Sequence, residues 1–259
     1  MIGAIFGDIV GSVYEFNNIR SKDFVLFGKR CGFTDDTVMT VAVADALMQL
    51  EGADDVEKFK RLLIKTMHSY GKKYPYAGYG GNFGAWLRQE DEKPYGSYGN
   101  GSAMRVSPVA WYADSLEKTI VYATASAQVT HNHPEGIKGA VVTAGATYLA
   151  RMGANMERIK EFVSGYYDMN FTLDEIRPSY YFNETCQMTV PQAMQAFFES
   201  TSFEDTIRNS VSLGGDSDTL AAIAGAVAEA YYGLTEEEKS KAISYLDDDL
   251  KAIVHRFLN

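Results

Sequence analysis

Two short acidic stretches stand directly before apolar segments, and both could bring carboxylates to the start of a helix. The first is Thr34-Asp35-Asp36-Thr37, which precedes the apolar segment 38–50. The second is Gly214-Gly215-Asp216-Ser217-Asp218-Thr219, which precedes the apolar segment 220–232. Such carboxylates can simply cap a helix, because its first N–H groups have no partner within the helix. Two acidic helix starts in one chain indicate a second possibility, a shared metal site.

The donor atoms of these stretches suit a hard divalent cation. The carboxylates would come from Asp35, Asp36, Asp216 and Asp218, and hydroxyl oxygens could come from Thr34, Thr37 and Thr219. Two carboxylates about 4 Å apart repel by about 4 kcal/mol at an effective dielectric near 20, so the cluster must raise its pKa values or bind cations. Oxygen ligands favour Mg²⁺ or Mn²⁺, whereas zinc favours His or Cys. Two ions would nearly neutralise the aspartates and one further acid. Glu15 is the candidate for that acid, and its alternative is an exposed loop glutamate.

Composition and charge limit the classes of function. The chain has 259 residues, of which 46% are apolar and 22% are charged, as in ordinary globular proteins. The net charge of −10 argues against nucleic acid and against an anionic membrane surface as partners. Cys31 and Cys186 have no metal or redox spacing, which fits a reducing compartment. The apolar start is interrupted by Asp8 and has no basic segment, so it predicts neither a signal peptide nor a membrane span. We therefore expect a cytoplasmic monomer.

Helical periodicity predicts that the elements carrying these residues are all α-helical. Gly3, Gly7 and Gly11 recur every four residues in the first apolar segment, so a helix there would have one face open to another helix or a ligand. Apolar stripes predict further helices, whose expected caps are Thr34 or Asp35, Asp54 or Asp55, Ser115, and Thr235 with Glu238. These helices cover about 38–50, 54–70, 83–89, 102–112, 115–130, 134–152, 156–167, 190–200, a segment beginning near 202, 220–232 and one or two helices at 236–257. Pro108 either kinks the helix predicted at 102–112 or marks a new start.

The remaining segments indicate loops rather than strands. Residues 14–33, most of 71–101 and 171–189 lack regular patterning, and the second of these is rich in glycine and tyrosine. A loop of that length is more often functional than structural. No alternating strand pattern or linker interrupts the chain. We therefore predict one compact all-α domain over residues 1–259, an orthogonal bundle of about a dozen helices.

Five segments together resemble the ADP-ribosylglycohydrolase family, which includes dinitrogenase-reductase-activating glycohydrolase and the ADP-ribosyl-acceptor hydrolases. In the family's order they are Gly3 to Gly11 with Glu15, Thr34 to Thr37, Gly99 to Arg105, Thr130-His131 followed by Pro134, and Gly214 to Thr219. Each segment alone would be a weak signal. Five in the same order, spread over nearly the whole chain, make a specific resemblance.

The resemblance implies an all-α fold with a binuclear Mg²⁺ or Mn²⁺ site. The family's metal-binding positions match Thr34, Asp35, Asp36, Asp216, Asp218 and Thr219. Positions that line the ADP-ribose cleft match the loop Gly99, Asn100, Gly101 and Ser102, and a histidine near that pocket matches His131. A histidine in a turn before a helix can also serve only as a cap or as a hydrogen-bonding residue in the core.

The implied reaction is hydrolysis of an N- or O-glycosidic bond between ADP-ribose and an acceptor, in this family most often a protein arginine. Metal-bound water is acidic, so a neighbouring carboxylate, either Asp36 or Glu15, can act as base. Nearby carboxylates also stabilise an oxocarbenium-like transition state. Gly99 and Gly101 would let backbone N–H groups approach the diphosphate. Aromatic side chains that could stack on adenine are Tyr74, Tyr76, Tyr79, Phe83, Tyr95 and Tyr98.

Several alternatives stay open at this point. The acceptor could instead be a serine, a nucleobase or another small group, so the partner is an ADP-ribosylated protein or a small ADP-ribose conjugate. The fold could also serve as a non-catalytic ADP-ribose-binding protein, although the complete set of aspartates argues against that. A metal-dependent phosphohydrolase of unrelated ancestry would explain the aspartates and glycines, but not the order of all five segments.

Overall fold

Helices account for the regular structure of the residues described by this computed structural model, which are 1–89 and 93–259. The elements are α1 Ile2–Gly11, α2 Asp35–Met48, α3 Val56–Lys73, α4 Gly81–Trp86, α5 Gly101–Met104, α6 Ser107–Tyr112, α7 Leu116–Gln128, α8 Pro134–Arg151, α9 Met156–Ser164, α10 Leu173–Ile176, α11 Cys186–Phe198, α12 Phe203–Leu213, α13 Ser217–Tyr232, α14 Glu236–Ser244 and α15 Asp248–Leu258. Within these ranges, extended pairing is limited to an isolated bridge between Gly99 and Thr185. The all-α prediction is therefore confirmed.

Local capping sets where most of these helices begin. Thr34, Asp55 and Ser115 cap α2, α3 and α7 with side-chain oxygens that accept backbone N–H groups. Thr235 and Glu238 form a reciprocal capping box at α14. These caps lie at the predicted positions because the interaction joins residues only two or three apart in the sequence.

Two sequence-based boundaries were wrong, and one open alternative was decided. The sequence left open whether Pro108 kinks the helix at 102–112 or marks a new start, and α6 does begin at Ser107 with Pro108 in its first turn. The segment 171–189, predicted to be irregular, contains α10 and the beginning of α11. Helix α11 begins at Cys186 and runs through Pro191. Proline lacks the N–H that would bond the carbonyl four residues earlier, which normally stops a helix. Here the residues around Pro191 are buried in the core, and tertiary packing outweighs that local preference.

A pair of helices in close contact forms the centre of the molecule. Helix α1 is buried along its whole length, and α13 is buried from Ser217 to Glu229. The two pack backbone to backbone along the face of Gly3, Gly7 and Gly11, where an added Cβ would lie 2.2 Å, 2.1 Å and 2.3 Å from the nearest atoms of α13. The glycine face predicted from sequence is thus filled by another helix. Helices α8, α11 and α12 pack against other sides of α13.

This central packing brings three helix ends to one place. Asp8 lies near the end of α1, while Asp36 and Asp218 lie in the first turns of α2 and α13. Carboxylate oxygens of all three residues lie within 4.8 Å of one another. Across the described ranges, no helix combines the length and the hydropathy that crossing a membrane requires.

Candidate active site

The two acidic helix starts meet, as the sequence predicted. Thr219 at the start of α13 donates its hydroxyl hydrogen bond to Asp36 Oδ2 at the start of α2, with an O–O distance of 3.2 Å. Glu15, Asp216 and Asp218 form a second group whose carboxylate oxygens lie within 4.8 Å of one another. The groups share Asp218, so the acids form one continuous cluster. The sequence-predicted Glu15 is part of it rather than an isolated loop glutamate.

Asp8 is a member of the cluster that sequence reasoning did not assign a role. Its carboxylate accepts hydrogen bonds from the backbone N–H groups of Thr34 at 2.9 Å and Thr37 at 3.1 Å. It also accepts from both threonine hydroxyls, at 2.6 Å from Thr34 and closely from Thr37. Four accepted hydrogen bonds make Asp8 the residue that holds the first turn of α2 in place. The signal was present in the sequence, since Asp8 is the one charged residue of the first apolar segment.

Thr34, which was predicted to bind a metal, instead forms hydrogen bonds within the protein. Its hydroxyl donates to Asp8, and its oxygen accepts a long 3.4 Å hydrogen bond from the N–H of Asp36. Thr34 is not among the residues that line the cleft, whereas Asp35, Asp36, Asp216, Asp218 and Thr219 all line it.

Burial and mutual repulsion raise the pKa values of the acids in this cluster. Desolvation first, and neighbouring carboxylates second, raise the pKa values of Asp35, Asp36 and Asp218 well above the usual aspartate range. The same causes raise the pKa of Glu15 to about 7. Asp36 Oδ1 is buried and has no hydrogen-bond partner among the described residues. A buried acceptor without a donor calls for an explanation, and a divalent cation would supply one.

Asn100 connects this acidic cluster to the glycine loop. Its side-chain amide donates to Asp216 Oδ2 at 2.6 Å and to the hydroxyl of Thr189 at 3.1 Å. Its backbone N–H donates to the carbonyl of Glu184 at 2.7 Å. Asn100 therefore orients a carboxylate of the cluster while its own loop lines the cleft, which gives the predicted loop residue a second role.

The cleft itself has a volume of about 640 Å³, within the usual range for a site that encloses a small organic ligand. The predicted Gly99, Gly101 and His131 line it. Ser102 does not: it is fully buried, and its hydroxyl donates to the carbonyl of Gly136 at 2.7 Å. This contact ties the glycine loop to the first turns of α8, so Ser102 supports the loop from behind.

The aromatic residues proposed to stack on adenine divide into two groups. Phe83, Tyr95 and Tyr98 line the cleft, whereas Tyr74, Tyr76 and Tyr79 are not among its lining residues. Two aromatics outside the predicted set also lie at this site. Phe16 is 79% exposed and stacks on Phe182, with ring centroids 5.8 Å apart, and Phe182 lines the cleft. These stacked rings give the edge of the cleft near Glu15 a flat apolar surface.

The segment that carries Glu15 is held against the turn before α13. Gly214 and Gly215 have positive φ angles of 73° and 69°, which glycine adopts without strain. Asn18 clasps this turn through both atoms of its amide, donating to the Gly215 carbonyl at 2.9 Å and accepting from its N–H at 2.8 Å. Arg20 donates to the carbonyl of Leu213 in the same turn. The two segments are nearly 200 residues apart in the chain, so no local sequence pattern indicates this contact.

His131 lies at the inner wall of the cleft and is 4% exposed. Burial first, and the charge of Arg105 second, lower its pKa well below the usual value, so the ring is neutral at physiological pH. His133 has the separate role of capping α8, since its Nδ1 accepts from the N–H of Glu135 at 3.1 Å.

Comparison with known proteins adds the family context. The chain matches a family model described as ADP-ribosylglycohydrolase over residues 1–258. It is 29% identical over 317 residues to the ADP-ribosylhydrolase ARH3 of Mus musculus, covering 93% of this chain and 84% of the relative. It is 27% identical to the ADP-ribosylarginine hydrolase Tri1 of Pseudomonas putida, with 91% and 70% covered. It is 26% identical to the ADP-ribosyl-[dinitrogen reductase] glycohydrolase of Rhodospirillum rubrum, with 98% and 91% covered.

A solved structure described as an ADP-ribosylglycohydrolase-related protein complex shares the fold. It superposes with a TM-score of 0.64 at 21% sequence identity, and the match covers 99% of this chain and 95% of the other.

Proposed function

The chain belongs to the ADP-ribosylglycohydrolase family, and from that premise we propose that it uses two divalent ions to hydrolyse the bond between ADP-ribose and an arginine of a modified protein. The observation that carries the proposal is the cluster of five acids, of which Glu15, Asp36, Asp216 and Asp218 line a ligand-sized cleft. Such a cluster is costly without cations, and the family chemistry gives those cations a use.

The donor set fits Mg²⁺ or Mn²⁺. The residues that would hold the ions are Asp35, Asp36, Asp216, Asp218 and Thr219, which line the cleft, with Glu15 as the additional acid. All of these offer oxygen, which suits hard cations, and the unpartnered Asp36 Oδ1 is an acceptor ready for one. Once bound, the ions would hold the ribose hydroxyls and make a bound water more acidic.

The protein's own residues would transfer the proton and stabilise the charge that develops on the sugar during hydrolysis. A pKa near 7 suits Glu15 to take up or return a proton near neutral pH, and Asp36 is the alternative base. The surrounding carboxylates would stabilise positive charge at the anomeric carbon. Asn100 would keep Asp216 oriented, and the glycine loop would let backbone groups approach the diphosphate.

The outer end of the cleft favours arginine as the acceptor. Its carboxylates, Glu15 and Glu184, line the cleft near the stacked rings of Phe16 and Phe182. A guanidinium is flat and always charged, so it can pair with carboxylates and lie on aromatic faces. One of the relatives carries a name that refers to ADP-ribosylarginine, which supports the same choice. A serine, nucleobase or small-molecule conjugate is the alternative acceptor.

The decisive experiment measures release of free ADP-ribose from arginine-linked and serine-linked peptides, with Mg²⁺, with Mn²⁺ and with a chelator. We expect release from the arginine conjugate that stops with chelator and falls at least about 100-fold in Asp36→Asn. Asp248→Asn is the matched control, because Asp248 is exposed on α15. Binding of ADP-ribose without release from any conjugate would refute the enzymatic proposal. Release that is insensitive to chelator and to Asp36→Asn would refute the metal site.

A further inference from the structure

Arg105 is a buried cation whose surroundings do not explain it. Its side chain is 1% exposed, and its guanidinium lies 5.7 Å from the centroid of the Phe83 ring. Nη2 donates to the carbonyl of Ser126 at 3.2 Å and to the hydroxyl of Thr130 at 2.8 Å. Nε has no acceptor within the described ranges, where the residue also forms no ion pair. Burying an unpaired charge is costly, so the guanidinium needs a use beyond packing.

The contact with Thr130 constrains the direction of the next hydrogen bond. A guanidinium has donors and no acceptor, so the Thr130 oxygen must accept from Arg105. Thr130 Oγ1 lies 2.7 Å from Nδ1 of His131, and both residues are buried. With one lone pair engaged by a cation, the threonine hydroxyl becomes a stronger donor. Its own proton then has Nδ1, 2.7 Å away, as an acceptor, and a ring that accepts there is unprotonated at Nδ1.

The other nitrogen of His131 faces the cleft. An ideal Cβ built on Gly101 would lie 3.1 Å from Nε2, and one built on Gly99 would lie 3.6 Å from it. Among the described residues, no group accepts a hydrogen bond from Nε2, although the ring is 4% exposed and lines the cleft. A neutral ring that accepts at Nδ1 carries its proton at Nε2. That N–H then points toward the glycine loop with no protein partner.

We propose that Arg105 and Thr130 are positioning residues that fix His131 as the Nε2–H tautomer, and that this N–H donates to a phosphate oxygen of the ligand lying over Gly99 to Gly101. The identity of the ligand as an ADP-ribose conjugate rests on the proposed function, whereas the tautomer does not. The arrangement gives the cleft a donor that stays uncharged and oriented. It also explains why a buried arginine ends on a threonine rather than on a carboxylate.

The tautomer can be read directly from imidazole ¹⁵N–¹H correlation spectra of the intact protein without ligand. The chain has four histidines, and His131→Gln assigns the signals. We expect the Nε2–H pattern for His131 in the unmodified protein. We expect the same pattern in Thr130→Ser, which keeps the hydroxyl, and a loss of it or a mixture in Thr130→Val, which keeps only the shape.

Binding provides the second measurement. Loss of an oriented donor to a phosphate oxygen predicts that the Kd for ADP-ribose rises about tenfold in Thr130→Val. The KM of the hydrolysed conjugate should rise by a similar factor while kcat changes less than about twofold, and Thr130→Ser should restore both. Thr147→Val is the matched control, since Thr147 is also buried and its hydroxyl donates within α8, to the Thr143 carbonyl.

The outcomes separate this inference from the proposed function. An Nδ1–H or doubly protonated His131 in the unmodified protein overturns the inference, as does a Thr130→Val variant that keeps both the tautomer and the affinity. If Thr130→Val does not fold, the spectra of the unmodified protein and of Thr130→Ser still decide. The expected spectra in a protein that releases ADP-ribose from no conjugate would leave the tautomer assignment standing and overturn only the proposed function.

Discussion

Replacing Gly7 with alanine adds one methyl group where the backbones of α1 and α13 pack directly against each other. The new Cβ would lie 2.1 Å from the carbonyl oxygen of Ala221, 2.3 Å from its carbonyl carbon and 2.6 Å from the nitrogen of Ala222. All three obstacles are backbone atoms of α13, which is buried on every side, so no side-chain rotation can relieve the contact. Helix α1 must move away instead.

The size of the effect follows from these distances. An ordinary contact begins near 3.4 Å, so the methyl group requires a local separation of about 1.3 Å between α1 and α13. Overpacking a rigid core costs about 1–3 kcal/mol, and backbone obstacles place this case at the upper end. Alanine recovers about 1 kcal/mol through its higher helix propensity. The net loss in the free energy of unfolding is therefore about 2 kcal/mol, or a drop in Tm of about 4–8 °C.

Thermal unfolding followed by circular dichroism, with chelator present, measures this loss. Gly84→Ala is the matched control: Gly84 also lies in a helix, and its added Cβ would meet nothing closer than 3.5 Å. We expect the control to be as stable as the unmodified protein or slightly more stable. Because Gly7 precedes Asp8, the displacement should also weaken Mn²⁺ binding. A Gly7→Ala protein with an unchanged or higher Tm would refute the account of α1 packing.

Three further predictions concern the cleft. The pKa of Glu15 is raised from 4.5 to about 7 in the folded protein, so without metal its contribution to stability is fully present below about pH 4.5 and is lost as pH rises through 7. The gain in Tm on adding Mg²⁺ should therefore grow between about pH 5 and pH 8. A gain that stays constant over this range would contradict the reasoning. Asn100→Ala removes the hydrogen-bond donor to Asp216 and should weaken Mn²⁺ binding, measured by calorimetry, by about 10–100-fold. Asn170→Ala is the control, because Asn170 is exposed, and it should leave Mn²⁺ binding unchanged. Equal Mn²⁺ affinities of the two variants would show that Asp216 does not need the hydrogen bond from Asn100. Phe16→Ala should raise the KM for the arginine conjugate about fivefold and leave the Kd for ADP-ribose unchanged. An equal rise in KM and in Kd would show that Phe16 does not recognise the acceptor specifically.

Prediction from sequence was most accurate where an interaction joins near neighbours. The caps Thr34, Asp55 and Ser115 sit where expected, because a cap needs only a side chain and an N–H two or three residues away. The predicted start of α11 was wrong, because the helix begins at Cys186 and continues through Pro191. Proline disfavours a helix interior, but the burial of the surrounding residues outweighs that local preference. Local rules have no means of including that energy.

The acidic stretches show both what the sequence determined and what only the tertiary structure decided. The sequence alone determined that carboxylates would stand at two helix starts and that α1 would have a face without side chains, since both depend on residue type and periodicity. Only the tertiary structure decided that Asp8 holds the first turn of α2, that Asn18 clasps the Gly215 peptide, and that Ser102 lies behind the cleft. Each of these depends on packing between segments far apart in the chain, as does the contact from Thr219 to Asp36 across 183 residues. The fit of α1 against α13 places Asp8 close to Asp218, and the hydrogen bonds that Asp8 accepts from Thr34 and Thr37 bring the first turn of α2, with Asp36, to the same place.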